Sequence, residues 1–306
     1  MIAALQWLGG QARIVLALGC CLAIFLPTLS AWLRPYLPAL VSMVLALAMA
    51  RIDLVGVARG AVQPRRLGRS LLLVMVLMPG LAVGLWLVAW GLGLAPADRT
   101  AITYFALAPP IASAAGLAFL MGANAALALE ITLLATVLSP IIGPLMAVLL
   151  LPEAPGPGAL ALAARLSAMI AGGLAAALLL RALFGAERIA RNGQIVDGLA
   201  ALGMFLFVIP LFDGIGALVL AAPVEALRIF ALAVALNLGL HLVARRLARS
   251  VVSIPDARAV GITTGNRTVA LYLAALPPEP TFALFVALYQ FPMYFTPLIL
   301  GPRRLR

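Results

Sequence analysis

Residues 259–276 read AVGITTGNRTVALYLAAL, an apolar stretch long enough to cross a bilayer that carries Thr263, Thr264, Gly265, Asn266, Arg267 and Thr268 at its centre. An arginine at the middle of a spanning helix costs at least about 2.5–3.5 kcal/mol on insertion scales, so it must face a cavity, an anion or a carboxylate. A second interruption lies in FALAPPIASAAG at 105–116. There Pro109-Pro110 removes backbone donors and clashes with the preceding turn, which predicts a helix broken near Pro109. Broken backbone at membrane depth is tolerated only where protein or a water-filled cavity covers it. The two stretches together predict a polytopic helical membrane protein with irregular backbone turned inward. The plain alternatives are a structural kink at Pro109 and an internal ion pair at Arg267.

The rest of the chain agrees. Of 306 residues, 65% are hydrophobic and 10% charged, against roughly 25% charged in an ordinary soluble domain. That excess of apolar surface cannot be hidden in one soluble core, whereas helices apolar all round suit a lipid bilayer. The net charge of +11 comes from arginines, most of them in short segments between apolar runs. Such placement reads as topology. A nucleic-acid surface would need a polar domain to carry it, and no polar stretch is long enough to fold alone. Adjacent Cys20 and Cys21 and a lone His241 offer neither a disulfide nor a metal site. No cofactor, metal or catalytic residue is expected. An intramembrane enzyme is disfavoured by the absence of a G-x-S-x-G motif or a paired Asp-rich segment.

Breaks at Gly, Pro and Arg clusters divide the chain into apolar runs near 14–33, 36–50, 70–92, 100–120 and 124–151, then 159–183, 195–212, 223–244, 257–276 and 280–300. The first run is read as a retained span rather than a leader, given its length, Pro27 and Trp32. Residues 1–152 form a first half, 153–158 a Pro/Gly linker and 159–306 a second half. With the N-terminus inside, sixteen arginines fall in cytoplasmic segments and only Arg34 and Arg99 on the other side. The bias predicts ten crossings of a plasma membrane, or of a bacterial inner membrane if the source is prokaryotic, with both termini cytoplasmic. Five crossings per half make any repeat an inverted one, as in many secondary transporters. An offset of 157 residues superposes Ser139-Pro140 on Thr296-Pro297 and carries Pro109-Pro110 onto Asn266-Arg267.

Candidate binding residues cluster at these breaks: Pro109 and Ser113 in the fourth span, and Thr263, Thr264, Asn266, Arg267 and Thr268 in the ninth. Glu130, the other charge placed well inside a span, is the expected partner of Arg267, and competition with an anionic substrate would couple binding to its protonation. Thr132 and Thr136 offer hydroxyls, or simply bond their own helix backbone. Asn237 and His241, four apart on one face, either line the core or bond across helices.

PPIASAAGLAFLMGANAALALEITLLATVLSPIIGPLM at 109–146 and GITTGNRTVALYLAAL at 261–276 resemble the bile acid:sodium symporter family. The resemblance spans most of the chain. It implies an all-α fold of ten helices in two inverted five-helix repeats, with helices four and nine broken and crossing near the midplane. It also implies a core domain from spans three to five and eight to ten, and a panel domain from spans one, two, six and seven. The implied activity is secondary transport of small organic anions, bile-acid-like or carboxylate, by alternating access. The family's sodium ligands fall on Ala114, Ala115, Ala128, Thr132, Thr263 and Arg267, which leaves few side-chain oxygens. Transport without a sodium requirement is therefore expected, as proton-coupled symport or uniport, with Arg267 supplying the positive charge. The alternatives are a sodium-coupled symporter of the same fold, a channel and an enzyme.

Overall fold

The computed structural model describes residues 7–8, 11–52, 63–152 and 156–300. Arg59, Arg303, Arg304 and Arg306 of the topology assignment, and residues 153–155 of the linker, lie outside these. Among the described residues the chain is helical, with no strand and one isolated β-bridge. Seven helices among the described residues are long and apolar enough to span a bilayer: Pro27–Ala50, Pro64–Gly91, Ala125–Leu150, Gly158–Phe184, Gly193–Phe212, Pro223–Ala248 and Pro280–Leu300. Many of their apolar side chains are exposed, Val137, Val148, Leu160 and Leu183 among them, which is the surface a lipid solvent permits. The chain is an all-helical, multi-pass membrane protein.

The helices are α1 (Ala12–Ala23), α2 (Pro27–Leu33), α3 (Leu37–Ala50), α4 (Pro64–Met75), α5 (Leu81–Gly91), α6 (Pro96–Leu107), α7 (Ala114–Leu120), α8 (Ala125–Leu150) and α9 (Gly158–Phe184). They continue with α10 (Ala186–Arg191), α11 (Gly193–Val208), α12 (Ile215–Ala221), α13 (Pro223–Val234), α14 (Leu240–Ala248), α15 (Ile254–Gly265), α16 (Ala270–Ala275) and α17 (Pro280–Leu300). Several open on proline, whose missing N–H would have had no partner in a first turn anyway. The run expected at 14–33 is divided at Ile24–Leu26, before Pro27. The break expected near 34–36 is instead a 3₁₀ turn, Arg34–Tyr36, joining α2 to α3. Pro35 and Pro38 both sit at helix starts, where they do not stop the chain.

Two helices share an unexpected feature. Twelve residues of α4 lead into a five-residue π-helical turn, Val76–Gly80, and then α5; twelve residues of α13 lead into a π-helical turn, Ala235–Gly239, and then α14. Pro79 lies inside the first turn and Asn237 inside the second. Inserting one residue per turn leaves carbonyls without their usual partners.

The chain divides into two compact units, Met1–Leu54 with Ser167–Leu227, and Val55–Leu166 with Arg228–Arg306. In the first, small residues allow close helix approach: a Cβ on Gly173 would lie 3.0 Å from Ser42 O. Arginines serve helix ends there. Arg181 Nη1 donates to Ala50 O at 3.1 Å and Ile52 O at 2.7 Å, and Arg51 pairs with Asp197. The second unit holds both interrupted helices. At Pro140 in α8 the missing N–H would orphan Thr136 O, and Ser139 Oγ supplies that bond at 2.9 Å.

Candidate functional site

In the second unit, α6 ends at Leu107 and α15 at Gly265, and the extended residues that follow run past one another as the antiparallel bridge Pro110–Arg267. Ile111 N donates to Asn266 O at 3.0 Å, and Thr268 N donates to Pro109 O at 2.8 Å. The offset of 157 carries each partner of the first bond onto a partner of the second, so the two bonds exchange under it.

The freed carbonyls are then satisfied one by one. Arg267 Nη1 donates to Ala106 O at 3.0 Å and Ala108 O at 2.7 Å, Nε to Thr264 O at 3.0 Å, and Nη2 to Leu77 O in the first π-turn. Thr268 Oγ1 reaches Pro110 O at 3.2 Å and Tyr272 Oη reaches Leu107 O at 3.4 Å. On the other side of the bridge, Tyr289 Oη accepts from Arg267 N and donates to Gly265 O, both at 2.7 Å. Asn237 Nδ2 from the second π-turn also donates to Gly265 O at 2.7 Å and to Asn266 Oδ1 at 3.2 Å, while Thr296 Oγ1 donates to Asn237 Oδ1 at 2.8 Å.

Arg267 is 1% exposed, and among the described residues every partner of its guanidinium is a backbone carbonyl. Burying an ion costs several kcal/mol. Hydrogen bonds from a charged donor return roughly 1.5–3 kcal/mol each, so four of them outweigh that cost. The guanidinium is held by the break in α6–α7 and by the first π-turn. It is not left open to grip an anion.

Glu130 does not pair with it. Its carboxylate binds Arg66 and accepts from Ser70 Oγ at 3.0 Å, both on α4. It lines a cavity of about 370 Å³ with Arg65, Arg66, Arg69 and Asn124. Nearby, Arg69 pairs with Asp256 at 3.3 Å and Asn124 Nδ2 donates to Asp256 Oδ1 at 2.7 Å. Asn124 Oδ1 caps α8 through Leu127 N at 3.1 Å. The short loop between α7 and α8 thus joins the start of α15.

The remaining expected residues separate in the same way. Thr132 and Thr136 bond only their own helix, to Ala128 O and Thr132 O at 2.7 Å. Thr263 and Thr264 are buried and turn back to Ala259 O and Val260 O. Pro109 and Asn266 are buried within the crossing, Thr268 is half-buried, and Ser113 is exposed at the start of α7. Asn237 bonds across helices. His241 is buried, with Nδ1 lacking a hydrogen-bond partner. Tyr272, Tyr289 and the π-turn at Leu77 were not anticipated. Tyrosines in apolar runs and backbone carbonyls carry little sequence signal, though the 157-residue offset that sets Arg267 against the double proline could have pointed to the carbonyls. Asp98, 2% exposed at the start of α6, makes a two-pronged bond with Arg228 at 2.7 and 2.8 Å. Arg228 on α13 is thereby an ion-pair partner of α6.

The class that fold and site define is an all-helical membrane protein with two broken helices crossing inside one compact unit. The chain matches no protein-family model and no curated protein sequence.

Proposed function

We propose that this protein is a secondary carrier of small organic anions that works by alternating access and does not require sodium. The observation that carries the reading is the Pro110–Arg267 crossing, where two half-helices end on irregular backbone inside the apolar part of the chain. Discontinuous helices of this kind form substrate and ion sites in many transporters. Three features support an inverted repeat: the exchange of the crossing's two hydrogen bonds under the 157-residue offset, the matching π-turns, and the paired breaks. Apart from the first residues of α9 and α13, which fall across the unit boundaries, the helices of the two compact units follow the memberships that the family resemblance gives to panel and core, which favours ten crossings in that arrangement.

On this reading Arg267 supplies the positive charge at the crossing, and the small side chains at Ala114, Ala115 and Ala128 leave sodium without ligands. Substrate selection falls to groups that reach the surface near the crossing, Ser113 and Thr268 first. Coupling is to protons, or transport is uniport. Reconstituted into liposomes, the protein should take up one or more labelled carboxylates or bile-acid-like anions saturably and show counterflow. Rates should be equal in sodium and in choline. Uptake that strictly follows an imposed sodium gradient would refute sodium independence, and linear flux without counterflow would remove the carrier reading.

A further inference from the structure

We propose that the crossing is a binding site for a guanidinium-type cation, which the chain fills with its own tethered ligand, the Arg267 side chain. The inference deepens the carrier reading and rests on it only for the site's role in transport; the binding chemistry stands on the geometry.

Carbonyls from three separate segments converge there: Leu77 from the first π-turn, Ala106 and Ala108 from the end of α6, and Thr264 from the end of α15. Both α6 and α15 terminate at this point, so two helices direct the negative ends of their dipoles at the same place. Among the described residues no carboxylate forms an ion pair with Arg267. The field that holds the cation is made of peptide dipoles alone, a field any cation of the right shape would experience.

Shape decides the class. The four oxygens are shared among Nε, Nη1 and Nη2, and are therefore spread around the edge of a planar group rather than gathered on one point. A compact spherical ion wants its oxygens on a single centre. A guanidinium presents its N–H groups in a fixed fork and is weakly hydrated, so it enters such a cage readily. The carbonyls are held by the backbone of helices whose other bonds do not involve Arg267. Thr268 N to Pro109 O and Ile111 N to Asn266 O remain when the side chain is shortened.

The test is chemical complementation in detergent. Arg267→Ala deletes Cγ onward, and ethylguanidinium restores close to the missing atoms. The variant should unfold at a temperature lower by roughly 10 °C, because four buried carbonyls lose their partners. Millimolar ethylguanidinium should raise its Tm along a saturating curve while leaving the wild type unchanged. Sodium, tetramethylammonium and uncharged urea should not. Equal effects on variant and wild type, restoration by urea, or restoration by sodium as effective as by ethylguanidinium would each overturn the proposal. If Arg267→Ala does not accumulate as folded protein, ethylguanidinium, urea or sodium present during expression and extraction gives the same comparison with folded yield as the readout, and ethylguanidinium alone should restore it. Because the readout is stability, a failed uptake assay leaves this proposal standing. Successful uptake without complementation sinks this proposal alone.

Discussion

Tyr289 and Tyr272 both point a hydroxyl at the crossing, yet their bonds differ in kind. Tyr289 Oη bridges Arg267 N and Gly265 O, accepting from one and donating to the other at 2.7 Å, whereas Tyr272 Oη reaches Leu107 O only at 3.4 Å. Leaving a buried donor or acceptor unsatisfied costs roughly 1–3 kcal/mol. Tyr289→Phe removes the hydroxyl bonded to Arg267 N–H, although Asn237 still serves Gly265 O. We expect Tyr289→Phe to lower Tm clearly and Tyr272→Phe to lower it little, measured side by side in one detergent. Equal losses would show that the bridge has no special share in holding the crossing. The arginine itself was legible in the sequence as a group needing partners, but the partners were not. Glu130 was matched to it by elimination, as the other charge placed well inside a span. The sequence does not display the carbonyls that α6 releases when it stops, and those satisfy the guanidinium without any carboxylate.

The elements show a similar division between what the sequence exposes and what it hides. Proline pairs and polar runs interrupt apolar segments visibly, so the breaks in the fourth and ninth spans were readable before the structure. The π-turns were not: VLMPG contains Pro79, but ALNLG contains no proline and only the single Gly239, and an inserted residue leaves no periodic trace over five positions. The first two spans were misdivided because prolines at 35 and 38 resemble stops and act as starts. Close packing explains why the second π-turn matters. A Cβ on Gly265 would lie 2.3 Å from Asn237 O and 2.9 Å from His241 Cβ, so α15 lies directly against the turn and its following helix. Gly84 on α5 has nothing within 4 Å of such a Cβ. Gly265→Ala should therefore force the crossing apart and cost at least about 3 kcal/mol, as overpacking at backbone does at its upper end. Gly84→Ala should be neutral or slightly stabilising, since alanine favours the helix by up to about 1 kcal/mol. Folded yield and Tm of the pair check this. A tolerated Gly265→Ala would mean that the helices separate without penalty.

For the whole molecule, the arginine bias and the matching of the two π-interrupted helices make one joint demand. If α4–α5 and α13–α14 are counterparts in inverted repeats, the chain must leave them on opposite faces of the membrane. Ala95 follows the first and Ser250 the second, and both are exposed. The nearest arginines point the same way: Arg99 is one of two assigned outside, while Arg245, Arg246 and Arg249 crowd the end of α14. A parallel repeat would put both residues on one side, and so would an even number of crossings between them. On the proposed arrangement the segment from α6 to α14 supplies five crossings, the two halves of the fourth span and four long helices, Ala125–Leu150, Gly158–Phe184, Gly193–Phe212 and Pro223–Ala248. Replacing Cys20 and Cys21 by alanine gives a background without thiols, onto which Ala95→Cys or Ser250→Cys can be placed singly. In intact cells a membrane-impermeant maleimide should label the cysteine at 95 directly and the one at 250 only after permeabilisation. Labelling of both from outside would break the inverted arrangement, and the opposite pattern would reverse the orientation while leaving the repeat intact.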